Sequence, residues 1–204
     1  MAYQHDIFIS YRRNKEVLQW ITDHFVPLLK ANVQFELGFE PDVFVDDQLE
    51  AGGAWPLTLA KAIGGSRIII PLWTKTYLDS QWCTLEVVQM LQRDKLTGFR
   101  TEAKPYSLIL PVVIHDGETM PAEFSLVQRI EIKNFFTLRM HKDSEAAEKL
   151  SQALYARAQD IANAIKRAPD WKADWAVDAS NQFFQQYYRS QESVQSDLPK
   201  YASV

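Results

Sequence analysis

The stretch RIIIPLW, Arg67 to Trp73, is apolar at nearly every position. A strand with one face in water alternates apolar and polar residues. One covered on both faces does not, and parallel sheets are where such strands occur. Just upstream, Pro56 is a favourable first-turn residue for a helix that Gly64-Gly65 stops. Before that helix stand a polar, glycine-containing loop, 46–54, and a short β-branched and aromatic strand, Val43-Phe44-Val45. Further upstream, Asp6 to Tyr11 reads as a first strand. Val17, Ile21, Phe25 and Leu28 then recur at helical spacing, with Pro27 expected to kink or end the helix.

Downstream, a helix containing Trp82 and Glu86 runs to about Asp94. A polar loop follows over 97–105, then an apolar strand from Tyr106 to Ile114. Ile130-Glu131-Ile132 is a weaker fifth strand, and Ser144 is the N-cap of a long helix ending near Arg167. This alternation predicts an α/β fold: a doubly wound, flavodoxin-like, five-stranded parallel sheet with helices on both faces and its sites beyond the carboxyl ends of the strands. After Pro169, the residues Trp171, Trp175, Ala179, Phe183 and Tyr187 recur every four positions, with Phe184 and Tyr188 beside them. The expected division is therefore a domain over 1–168 and an aromatic helical extension over 169–204. Its stripe either docks on the same domain or waits for a partner.

The 204 residues are 47% hydrophobic and carry a formal net charge of -4, which suits one domain with a developed core. Apart from Arg12-Arg13 there is no basic cluster, so neither nucleic acid nor anionic lipid is expected as a partner. No apolar run approaches the roughly 20 residues of a membrane helix, and the first residues do not read as a secretory signal. The single cysteine, Cys83, excludes an intrachain disulfide and fits a reducing, cytoplasmic setting. His5, His24, His115 and His141 are far apart and have no ligand-spaced neighbours, so no metal is expected.

Several chemistries lack their parts. Ser10-Tyr11-Arg12-Arg13-Asn14 stands where a phosphate-binding glycine loop would follow the first strand. Pro71-Leu72-Trp73 ends the third strand, where a phospho-acceptor domain needs an aspartate. What remains lies at three strand-to-helix junctions: Ser10, Tyr11 and Arg12; Asp46 and Asp47; and Trp82 with Glu86. Trp82 and Glu86, four residues apart on a helix, share a face and lie about 6 Å apart along its axis. Topology brings these junctions to one edge. Each also has a plainer reading: Glu86 as a first-turn acid favoured by the helix dipole, Trp82 as core, Arg12 as a solvated end charge.

Taken together these segments resemble the Toll/interleukin-1 receptor (TIR) domain family. Asp6 to Tyr11 looks like its first box, Val45 to Trp55 like its BB loop, Ser66 to Leu72 like its third strand, and Trp82-Cys83-Thr84-Leu85-Glu86 like its W-x-x-x-E motif. The resemblance covers about residues 3–165. Some members only assemble signalling complexes, whereas others cleave NAD+ with the glutamate of that motif. The resemblance therefore implies Glu86 as the catalytic residue and NAD+ as substrate, with no added cofactor. Trp82, Arg12, Ser10, Tyr11 and Asp46 are then expected around the substrate. The BB-loop residues Asp47, Gln48, Leu49, Gly52, Gly53 and Trp55 are expected to close the cleft or support self-association.

The expected activity is that of an NAD+ glycohydrolase or ADP-ribosyl cyclase of the bacterial, NAD-cleaving type. Its setting would be anti-phage defence, with a separate effector or sensor. A non-catalytic adaptor and a nucleoside deoxyribosyltransferase stay open as alternatives. The chemistry is economical, because nicotinamide leaves NAD+ as a neutral molecule and needs no general acid, so one carboxylate suffices.

Overall fold

The computed structural model describes residues 2–46, 57–116, 120 and 129–175. Five parallel strands form one sheet: β1 (His5–Tyr11), β2 (Val43–Val45), β3 (Ser66–Trp73), β4 (Val112–Val113) and β5 (Ile130–Glu131), in the order β2-β1-β3-β4-β5. This is the flavodoxin-like order, whose direction of winding reverses between β1 and β3. The helices are α1 (Lys15–Trp20), α2 (Val26–Leu37), α3 (Leu57–Gly64), α4 (Gln81–Leu96) and α5 (Glu145–Arg167). α2 packs against α5 and α3 against α4.

The apolar stretch that opened the sequence lies at the centre. β1 pairs with β3 from His5–Ser66 to Tyr11–Leu72, and Ile68, Ile69, Ile70 and Leu72 are wholly buried. With Ile7, Phe8 and Ile9 equally buried, the central strands have no face left for water, which is why neither alternates. α5 begins where its cap was expected: the Ser144 hydroxyl accepts the Ala147 N–H, and Glu145 and Glu148 lie in the first turn, favourable at a helix N-terminus.

Two expectations are corrected. Pro27 does not end the first helix; the chain passes through a π-helical turn, Ile21–Phe25, and resumes as α2 with Pro27 in its first turn, where a missing N–H is harmless. α2 ends instead at Gly38, whose φ of 81° is the left-handed conformation of a helix C-cap. The fourth strand is also much shorter than Tyr106–Ile114. Ile109 bridges to Ile69, and regular pairing resumes only at Val112, after Pro111, which has no N–H to donate.

The last described residues pack against the sheet-and-helix body. Trp175, in a short 3₁₀ turn (Ala173–Trp175), lies 4.5 Å beneath the Arg93 guanidinium, and its carbonyl accepts from Gln89 Nε2. Arg93, itself buried, donates to the Ile63 and Gly64 carbonyls at the end of α3 and to the Ser66 carbonyl at the start of β3. Ala179, Phe183, Phe184, Tyr187 and Tyr188 lie outside the described residues, as do Asp47, Gln48, Leu49, Gly52, Gly53, Trp55 and Pro56. Among the described residues, no helix is long and apolar enough to cross a membrane.

Candidate active site

The carboxyl ends of β1 and β2 and the first turns of α4 enclose a cleft of about 230 Å³, lined by Ile9, Tyr11, Arg12, Arg13, Asp46, Ser80, Trp82 and Glu86. It sits beside the β1–β3 reversal, where open parallel sheets leave a crevice. Ser80 starts α4, its hydroxyl accepting the Cys83 N–H, and so fixes the turn on which Trp82 and Glu86 stand. Glu86 lies in the second turn of α4, beyond the reach of the dipole effect that would have explained a first-turn acid.

Glu86 is only 4% exposed, yet it lines the cleft, and its carboxylate forms no ion pair among the described residues. Its Oε2 accepts a hydrogen bond from the Ser10 hydroxyl, which is bonded in turn to the hydroxyl of Tyr77. Burial pushes its carboxyl up to about 8; Ser10 opposes the rise, Asp46 adds to it, and Arg13 lowers it. Tyr77 is driven far above the usual phenol range, first by burial and then by the neighbouring Cys83 and Glu86. Cys83, buried beside them, is likewise raised by burial and by Glu86, so its thiol stays protonated and unreactive.

Trp82, half-buried one helical turn before Glu86, forms one wall. Tyr11 is buried and donates to the Asp46 backbone carbonyl at 2.9 Å, tying the end of β1 to the end of β2. The Asp46 carboxylate is 2.5 Å from Arg13 and only 12% exposed. Arg12 faces outward, loosely paired to Asp79 at 3.8 Å. Of the expected residues, Trp82, Glu86, Tyr11, Arg12 and Asp46 thus meet around one cavity. Ser10 stands behind Glu86 rather than in the cavity wall.

Arg13, Ser80 and Tyr77 were not singled out from the sequence. Strand alternation, extended two residues past Tyr11, puts Arg13 on the side of Ile9 and Tyr11, and Ser80 was readable as the cap before Trp82. Nothing in the sequence marks Tyr77, whose part depends on a contact across the fold.

The family model described as the TIR domain matches residues 7–154. The chain is 31% identical over 88 residues to the disease resistance protein TAO1 of Arabidopsis thaliana, an alignment covering 43% of this chain and 7% of that relative. The chain therefore spans a small part of that relative's length. Among solved structures it is similar to the TIR domains of the activated Roq1 resistosome directly recognizing the pathogen effector XopQ, with 23% identity, 92% of this chain and 99% of that one covered, and a TM-score of 0.36. Since the family model takes in well over half of its length, the cleft-lining residues Ile9 to Glu86 included, the chain belongs to the TIR domain family.

Proposed function

We propose that the cleft cleaves the nicotinamide N-glycosidic bond of NAD+, as an NAD+ glycohydrolase or ADP-ribosyl cyclase. The observation that carries this reading is a buried carboxyl, Glu86, held by the Ser10 hydroxyl and lining a cavity together with an indole. As the bond breaks, its electrons go to the pyridinium nitrogen and positive charge passes to the ribose. A carboxylate beside that ribose stabilises the transition state more than the ground state. Water adding to the anomeric carbon gives ADP-ribose, nicotinamide and a proton; attack by the adenine of the same molecule gives a cyclic product.

Trp82 offers a flat face to the nicotinamide. The cavity suits the nicotinamide riboside half of the substrate, being smaller than the roughly 300–1,000 Å³ of most small-molecule pockets. Arg12, exposed at the cleft's edge, would contact the diphosphate in this reading. The proton that Glu86 holds up to about pH 8 is lost more readily once a pyridinium enters, because a nearby positive charge favours the carboxylate.

The test is nicotinamide release from NAD+ by the purified chain, at high protein concentration or with a crowding agent. Glu86→Gln is expected to lower the rate about 100-fold or more, the scale of losing one stabilising group from a transition state. Undiminished release would remove Glu86 from the mechanism. Absence of turnover from the native chain in every assembly state would instead favour the adaptor reading. Mass spectrometry of the products separates hydrolysis from cyclisation. The reading also includes self-association through residues 47–55, a separate effector or sensor and a role in anti-phage defence; these are supported by the family resemblance, and light scattering with and without NAD+ tests the first.

A further inference from the structure

Tyr77 does more than pack. It sits in the 3₁₀ turn Tyr77–Asp79 between β3 and α4, wholly buried, its ring 5.0 Å from that of Trp73. A phenylalanine would fill the same space. What needs explaining is the hydroxyl, which among the described residues bonds to Ser10. Serine has one proton to give and two lone pairs to offer. With Glu86 ionised, Ser10 must donate to Oε2, so Tyr77 must donate to Ser10. Because its burial keeps the phenol protonated, Tyr77 remains a donor across the working pH range.

We propose that Tyr77, acting through Ser10, is a positioning residue that holds Glu86 Oε2 and so sets both the orientation and the ionisation of the carboxyl in the cleft. Three elements are thereby joined in one hydrogen-bonded chain that ends on a carboxyl oxygen: Tyr77 from the turn after β3, Ser10 from β1, and Glu86 from α4. Donation from Tyr77 polarises the Ser10 hydroxyl and strengthens its bond to the carboxylate, a bond the protonated acid has less use for. Removing the phenol hydroxyl therefore favours the acid form and moves ionisation to higher pH. Among the described residues, the other charged or titratable groups around Glu86 are Asp46 from the end of β2, Tyr11 at the end of β1, Arg13 from beyond it and Cys83 on α4, with Arg12 and its partner Asp79 at the opening. Tyr77→Phe leaves all of them in place.

For its catalytic consequence the inference rests on the proposed function, so the test has a readout that does not need turnover. The full chain is labelled with ¹³C at the glutamate side-chain carboxyl carbon, the Glu86 signal is assigned by its loss in Glu86→Gln, and its titration is followed in the native chain, Tyr77→Phe and Ser10→Ala. The midpoint is expected to rise by about half a unit to one unit in Tyr77→Phe and by more in Ser10→Ala, with Ser10→Thr restoring most of the difference. The acid limb of nicotinamide release should move by the same amount, so that Tyr77→Phe is about 3- to 10-fold slower at pH 7 and within about twofold at pH 9. An unchanged midpoint in Tyr77→Phe overturns the proposal, as does a rate loss equal at every pH. If the native chain releases no nicotinamide, the proposed function falls while the titration still decides the relay.

Discussion

Glu86 makes the fold weaker as pH rises. In the unfolded chain its carboxyl loses its proton near the ordinary 4.5, whereas in the folded chain it keeps the proton up to about 8. Between those values the folded state binds more protons, so its advantage is full below about pH 4.5 and drains away until about pH 8. Glu86→Gln, which mimics the protonated acid, should match the native chain at pH 4.5 and be more stable at pH 9, by up to about 4 kcal/mol. Thermal melts at the two pH values check this. The same ionisation should appear in catalysis: at low NAD+ the rate should climb about tenfold per pH unit below 8, while at saturating NAD+ the limb should lie at lower pH because bound pyridinium favours the carboxylate. Trp82 and Glu86 were readable because a four-residue spacing on a helix fixes a shared face. Ser10 was placed at the right edge from sequence, but which way its hydroxyl turns depends on Tyr77, a contact across 67 positions.

At the level of elements, the sequence spoke plainly where one residue type decides the outcome. The run from Ile68 to Leu72 is a doubly covered strand, and Ser144 a helix cap, for local reasons that the fold then satisfied. It was silent where hydrogen-bond spacing shifts: helical periodicity through Ile21 and Phe25 does not reveal the π turn, and the apolar character of 106–114 does not show that Pro111 interrupts the ladder. Ile69→Ala, at the centre of β3, should cost about 2–5 kcal/mol, read as a lower urea midpoint at unchanged slope. Ser144→Ala should cost only about 1 kcal/mol, since one cap bond is lost at a partly open helix end.

At the scale of the whole molecule, the two ends of the sheet have different work. The carboxyl ends hold the cleft, while Arg93 gathers the chain around the amino end of β3 and holds Trp175 against α4. Trp175→Ala should therefore lower stability by about 1–2 kcal/mol, through the loss of a desolvated cation–π contact, and leave nicotinamide release below the melting temperature unchanged. A parallel neighbour within one sheet must come from far along the chain, and here His5 registers with Ser66. A ribosome making the protein at about 5–20 residues per second thus spends about 3–12 seconds adding the intervening chain. Until β3 emerges, β1 trails as a sticky ribbon with one flank bare, which is the interval in which a holding chaperone would have most to grasp.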